Sequence, residues 1–468
     1  MKRALIGLAT SLALASPALA QPRGDTGEAA FRALYKELVE TNTAASVGSC
    51  TQAAEQVAAR MRSAGFPDAD LHLFAAPEAP KHGGLVAVLP GTDPKAKAIL
   101  LLAHIDVVEA KREDWSRDPF KLTEEDGWFY GRGSFDDKAQ AAIWADTLIR
   151  YKREGYRPKR TLKMALTCGE EGGQPFNGAR WLAQNRRDLI DAAFGLNEGA
   201  GGQYDADGKR VAHTVLAAEK SSTRFSLETT NPGGHSSLPQ PDNAIYRLAH
   251  ALDRVEAYRF PVHLIDANRG YLQRMGAIKG GEIGRAMTAL AANPDDKAAD
   301  ALLSRDVSLN ATLRTTCVAT QLEGGHAPNA LPQRAKAGLN CRVMPGESFA
   351  DVRAQLVRAI NDPQVVVSEP VNEPKTPTPA LPRAVLGPVE TVSQAMWPGV
   401  PVVPILQPAA TDAYHMNAVG IPTYGVSGLF VDPDLGRIHG KDERIRVKSI
   451  MEGREFSHRL IKAYADAP

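Results

Sequence analysis

Along the first half of the chain, apolar positions switch between helical spacing and short unbroken runs. Gly27–Glu40 and Cys50–Gly65 carry them at helical spacing, and Gly65-Phe66-Pro67 ends the second segment. Gly84–Leu89 and Ala98–Leu102 read as strands around the turn residues Gly91-Thr92-Asp93-Pro94. The run Ile99-Leu100-Leu101-Leu102-Ala103 lacks alternation, which predicts a strand buried on both faces. Trp128–Tyr130 enters a Gly-rich turn, Asp137–Tyr151 is a helix of good formers, and Thr161–Thr167 is another buried strand. Ala179–Gln184 begins a helix, and Ala192–Leu196 is a strand reaching Asn197-Glu198-Gly199. Strands alternating with helices predict an α/β fold, a mostly parallel sheet flanked by helices.

The pattern changes near His213. Thr223–Thr229 alternates polar and apolar residues like a half-exposed strand, and a helix starts at Ala244. A Lys- and Asp-bearing helical region follows at about 270–304. Two alternating runs, Thr315–Leu322 and Gln333–Val343, then flank Asn329 as a potential hairpin. These segments predict an inserted α+β domain over 212–367, between catalytic-domain parts 21–211 and 368–468. The Pro-rich stretch Pro370–Pro382 is the expected link back, and Val447–Ala463 the final helix.

Composition narrows the classes. The 468 residues are 43% hydrophobic and 23% charged with a net charge of +1, which offers no basic field for nucleic acid. The N-terminus departs from the rest: Met1-Lys2-Arg3, an apolar Ala4–Ala15 and Ala18-Leu19-Ala20 form a signal-peptide pattern over 1–20. The expectation is an exported protein, periplasmic or secreted, without a membrane span after cleavage. Export permits disulfides among Cys50, Cys168, Cys317 and Cys341. Cys317 and Cys341 lie symmetrically about Asn329, so either a cross-strand bridge or two buried thiols fits. None has CxxC spacing, which argues against a thiolate zinc site.

Acidic and histidine residues recur where strands end. His104 and Asp106 follow the buried run and project from one side of it. Asp136-Asp137, Glu170-Glu171, Glu198 and His439 follow at later turns. Ligands of open α/β sheets bind outside the carboxyl ends of the strands. Mixed imidazole and carboxylate ligation suits zinc, and also cobalt or manganese. A dinuclear hydrolase further needs a carboxylate that binds no metal and takes the proton of the attacking water. Adjacent side chains point apart, so Glu170-Glu171 can divide these roles.

Four stretches carry a resemblance. They are Leu102-Ala103-His104-Ile105-Asp106-Val107-Val108, Tyr130-Gly131-Arg132-Gly133-Ser134-Phe135-Asp136-Asp137-Lys138, Gly169-Glu170-Glu171-Gly172 and Pro232-Gly233-Gly234-His235-Ser236-Ser237. In order and spacing they resemble the signatures of family twenty of the metallopeptidases. That family includes glutamate carboxypeptidase, aminoacylase, carnosinase-type dipeptidases, acetylornithine deacetylase and succinyl-diaminopimelate desuccinylase. The resemblance runs from about residue 35 to the C-terminus.

It implies a zinc-exopeptidase-like catalytic domain with an inserted lid or dimerisation domain, and two divalent metal ions, Zn2+ first among them. His104 and His439 would each bind one ion, Asp136 would bridge both, and Glu171 and Glu198 would complete the two sets. Glu170 would be the general base and Asp106 would orient His104. The Asp136-Asp137 peptide matches the family's cis bond. In the inserted domain, His235 would donate to the oxyanion, while Asn329 and Arg342 match substrate-binding positions. A guanidinium at Arg342 suits a free carboxylate. Two departures stand out: Lys138-Ala139 replaces a common lysine-glycine pair, and Cys168 reads as a packing residue.

Asn197-Glu198-Gly199-Ala200 and Thr411-Asp412 resemble the carboxypeptidase S and N-acyl amino acid hydrolase branch. The implied activity is amide hydrolysis in small peptides by an exopeptidase of carboxypeptidase or dipeptidase type. An aminoacylase-like hydrolase of N-acyl amino acids is the alternative. A non-catalytic periplasmic binding protein on this scaffold is a remote one, and it would have lost a ligand or the base. The resemblance also allows a homodimer through the inserted domain.

Overall fold

In the computed structural model the described residues are 27–172, 176–371 and 378–467. The expected leader, 1–20, lies outside them, as does part of the Pro-rich link. The strand Ile99–His104 is buried at every residue. It runs parallel to Leu162–Thr167 on one side and Phe194–Asn197 on the other, and Thr423–Gly425 extends the parallel set. Gly84–Leu89 and Leu71–Phe74 add antiparallel beyond one edge of this set and Arg210–Glu219 beyond the other, while Val402–Gln407 pairs in parallel with Arg210–Glu219 and Phe430–Val431 in parallel with Gly202–Tyr204 to complete the ten-stranded sheet.

Alternation along the central strand explains why it shows no polar position. Ile99, Leu101, Ala103 and Ile105 pack on one face with residues of the helices Glu28–Glu40, Cys50–Ser63, Lys138–Arg153 and Val447–Asp466. Leu100 and Leu102 pack on the other with Ala179, Leu182, Met416 and Ile421. With both faces apolar, this is the helix-flanked, mostly parallel sheet expected from the pattern. Parallel strands end at one edge, so His104, the Gly169-Glu170-Glu171 turn after Thr167, and Glu198 after Asn197 emerge together.

A second, four-stranded antiparallel sheet takes the order Thr316–Gly324, Arg334–Val343, Ser221–Thr230, Val366–Val367. Phe225, Leu227, Ala337, Leu339 and Val343 face the helices Ala244–Ala257 and Phe349–Ile360. This sheet begins at Ser221, later than the expected boundary at 212. The strand Arg210–Glu219 is buried along most of its length and pairs within the large sheet. Four helices between Asp266 and Leu313 form the helical region, and their cluster includes Ala212 and Val403 of the large sheet. No helix among the described residues is long and apolar enough to cross a membrane.

Both cysteine pairs are bridged. Cys317 and Cys341 sit directly opposite on adjacent strands, the bridge that the sequence left open. Cys168 is not the packing residue expected from its position: it is bonded to Cys50, 118 residues away, at the start of the helix Cys50–Ser63. The helix Cys50–Ser63 packs against Gly84–Leu89, which pairs with Leu162–Thr167, and this brings the two cysteines together.

Candidate metal centre

The edge of the large sheet gathers two imidazoles and several carboxylates. His104 Nε2 lies 3.1 Å from Asp136 Oδ1 and 3.7 Å from Glu198 Oε1. His439 Nε2 lies 3.2 Å from Asp136 Oδ2 and 2.8 Å from Glu171 Oε2. The two oxygens of Asp136 therefore face two different histidines, each accompanied by its own glutamate. Ligand atoms of His104, Asp136 and Glu171 lie within 4.8 Å of one another, as do those of His104, Glu170 and Glu198. Glu170 thus borders the His104 side without taking part in the His439 contacts.

Backbone geometry fixes these side chains. The Asp136-Asp137 peptide is cis and precedes the helix Lys138–Arg153. Asp106 is fully buried and does more than orient one ring. His104 Nδ1 lies 3.1 Å from its carbonyl oxygen and 3.6 Å from Oδ1. Its carboxylate also accepts the backbone N–H of Glu170 at 3.4 Å and of Glu171 at 3.2 Å. One aspartate so holds the His104 ring and the glutamate turn in a common frame.

Electrostatics mark the centre as short of positive charge. Burial works against a charged His104, but Glu198, Asp106 and Asp136 outweigh it and hold its pKa well above the ordinary value. Hydrogen bonds to Asp136 and Glu171 raise His439 to about 10. Burial raises Asp136, yet the two histidines hold it below the usual carboxylate range. Burial lifts Glu170 to about 8, with Asp412, Glu171 and Asp106 adding to it against His104. Glu198 is raised well above its ordinary value, again chiefly by burial. Convergent carboxylates with this donor chemistry fit divalent cations, whose charge would replace that of protonated histidines.

Several residues that sequence reasoning did not place in the centre support it. Asp412, 3% exposed, accepts from Thr167 Oγ1 at 2.9 Å and Asn177 Nδ2 at 2.8 Å. Thr411 Oγ1 accepts from Asn197 Nδ2 at 2.9 Å and donates to Glu219 at 2.7 Å, beside the strand end that carries Glu198. In sequence the pair marks only the branch resemblance; the fold brings it next to Glu170 and Glu198. Glu443 and Arg132 form a buried ion pair at 2.7 Å beside the Asp136 turn.

The expected residues of the inserted domain lie elsewhere. His235 is exposed on the short strand Gly234–His235, which pairs with Ala330–Leu331, and its Nδ1 accepts the Ser237 N–H at 3.2 Å. Asn329 accepts the Ser236 N–H through its carbonyl at 3.0 Å, which brings it next to His235. Arg342 lies on Arg334–Val343 between Ser222 and Thr316. Among the described residues no hydrogen bond or ion pair joins these three to the His104–His439 cluster.

The model for peptidase family M20/M25/M40 matches residues 100–463, which include every member of the cluster. The chain belongs to this family. A probable carboxypeptidase S-like protein of Dictyostelium discoideum is 29% identical over 80% of this chain and 72% of its own. Aminoacylase-1 of Mus musculus is 28% identical over 82% and 85%. Among solved structures, the M20 family metallo-carboxypeptidase Sso-CP2 of Sulfolobus solfataricus matches with a TM-score of 0.66 at 18% identity. It covers 93% of this chain and 99% of its own, a likeness of fold. This M20 chain is a hydrolase by family, and in sequence its second sheet lies between two parts of the large one.

Proposed function

We propose that this M20 protein hydrolyses an amide bond in a small peptide or N-acyl amino acid, at a centre for two divalent metal ions. The observation that carries the reading is Asp136, with one oxygen 3.1 Å from His104 and the other 3.2 Å from His439. A carboxylate so placed bridges two positions. His104 and Glu198 would complete one position, and His439 and Glu171 the other. Zinc suits this donor set best, with cobalt or manganese as alternatives. Bound divalent ions would polarise the scissile carbonyl and acidify the attacking water.

The protein's own groups do the rest. Glu170 stays outside the His439 set and accepts the proton of the attacking water. Cations in the site would favour its ionised form, against the burial that now raises it to about 8. Glu170 then returns that proton to the leaving amine nitrogen, so one carboxyl serves both half-steps. Asp106 keeps Glu170 facing the reaction by holding its backbone N–H. His235 would donate to the developing oxyanion once the inserted domain closes over the sheet, and Arg342 and Asn329 would bind the substrate.

An exopeptidase of carboxypeptidase or dipeptidase type is the first reading and an N-acyl amino acid hydrolase the second. The relatives named above support both. A panel of dipeptides and N-acyl amino acids, assayed with metal-reconstituted protein, separates them. Glu170→Gln tests the mechanism: loss of turnover with metal content unchanged is expected, and retained turnover would overturn it. Export is supported by the leader pattern and by two disulfides, which persist in oxidising compartments. A homodimer through the inserted domain is supported by its edge strand Thr316–Gly324, where Val318 and Leu322 are exposed. Light scattering on the eluted protein would report that assembly.

A further inference from the structure

A further buried carboxylate lies beside the Asp136 turn, and among the described residues no hydrogen bond or ion pair joins it to the histidines of the centre. Glu443 is 0% exposed, four residues beyond His439, so no substrate reaches it. Its Oε1 accepts the N–H groups of Phe135 at 2.9 Å and Asp136 at 3.1 Å. Its Oε2 accepts Gly133 N–H at 3.1 Å and Arg132 Nη1 at 2.7 Å. The Glu443 carbonyl also accepts Gly131 N–H at 3.1 Å and Ser134 Oγ at 3.3 Å. Nearly the whole turn that delivers Asp136 is thus gripped by one residue.

Arg132 carries the grip to the other side. Its Nη2 donates to the carbonyl of Gly440, the neighbour of His439, at 2.8 Å. The loop there needs holding. Leu435, Arg437, His439 and Asp442 all adopt left-handed backbone, with φ between 52° and 58°. Such a conformation costs about 1 kcal/mol or more per residue and persists only where surroundings impose it. Ser116 supplies a further hold through its N–H and Oγ on Asp442 Oδ1, at 3.1 and 2.8 Å.

From this geometry we infer that Glu443, through Arg132, is a positioning residue for the metal centre. It locks the Asp136 turn and the His439 loop into one frame, so that each oxygen of Asp136 meets a different histidine. The inference rests on the two-metal reading above. An acceptor-only carboxylate is required, because four N–H donors converge on two oxygens. A glutamine there offers one oxygen and turns its own N–H2 toward two of those donors. Part of the grip must then release.

The test is a calorimetric Zn2+ titration of full-length, chelator-stripped protein, with Co2+ absorption spectra and the melting temperature of the metal-free protein alongside. Wild type is expected to bind two ions. Glu443→Gln is expected to bind them about 10- to 100-fold more weakly with an altered Co2+ spectrum, the effect of removing a residue that orients metal ligands. If Glu443→Gln does not fold, Arg132→Lys decides, since lysine cannot hold Glu443 and the Gly440 carbonyl together. Wild-type affinity and an unchanged Co2+ spectrum in the folded variant would overturn the inference and leave the two-metal reading standing. A wild type that binds no pair of ions would overturn both.

Discussion

His213 makes stability depend on pH in a way that can be isolated. It is fully buried in the strand Arg210–Glu219, among the rings of Trp397, Phe430 and Phe456. Its Nε2 lies 2.7 Å from the Ser427 carbonyl and so carries the proton; Nδ1, 2.7 Å from Ser393 Oγ, accepts. Burial depresses its pKa to about 4, with the Ser427 carbonyl opposing. An unfolded histidine titrates near 6.5. Below that pH the unfolded chain binds a proton that the folded chain refuses. The associated stability is therefore complete above 6.5 and is lost as pH falls through 4. A gap of about 2.5 units corresponds to roughly 3 kcal/mol. Urea unfolding at pH 7.5 and pH 4 measures it, comparing wild type with His213→Gln, whose amide can still donate to Ser427. The substitution is expected to remove about 3 kcal/mol of the pH-dependent loss, other titrations cancelling in the difference. Equal losses in the two proteins would refute a neutral, buried His213.

Three other perturbations are expected to act. Replacing Cys50 and Cys168 together by alanine opens a loop closed across 118 residues, for which the chain-entropy estimate is about 5 kcal/mol at 25 °C. A melting temperature that fails to fall in differential scanning calorimetry would show that this bridge does not stabilise the fold. Arg454→Met strands the buried Asp146, now 2.6 Å from Arg454 Nε, and should cost about 3–5 kcal/mol in denaturant unfolding. A loss below 1 kcal/mol would mean that Asp146 is protonated and weakly paired. Chelator treatment should abolish turnover and lower the melting temperature, because cations bind the folded ligand set alone. Saturation at a hundred times Kd is worth about 2.7 kcal/mol. Identical melts with and without zinc would contradict the metal reading.

The central sheet was legible because a parallel strand buried on both faces writes itself as an unbroken apolar run, as in Ile99–Ala103. The same logic brought the ligand candidates together, since strands that run in parallel release His104, Glu170-Glu171 and Glu198 at one edge. Long-range pairings left no comparable trace. Cys50 and Cys168 are 118 residues apart in sequence and are neighbours only in the packed fold. The strand Arg210–Glu219 straddles the expected boundary at 212, and its buried His213 and Thr214 interrupt an otherwise apolar run. Asp412 and Glu443 resemble surface carboxylates in sequence, and only the fold shows them 3% and 0% exposed.

Those buried carboxylates explain how the centre holds its shape. Asp106 accepts the backbone N–H groups of Glu170 and Glu171, and Glu443 accepts those of Gly133, Phe135 and Asp136. Both ligand-bearing turns are thus fixed through main-chain donors, which any side chain would present equally. The ligands can then lean into the site without packing against one another for support. The arrangement has an electrostatic consequence: negative charge sits directly beneath ligands that are themselves negative. Arg132 offsets Glu443, and the remaining excess falls on the imidazoles of His104 and His439, which it drives toward their charged forms. Divalent cations between the two histidines and Asp136 would take over that compensation and free both rings to serve as neutral ligands.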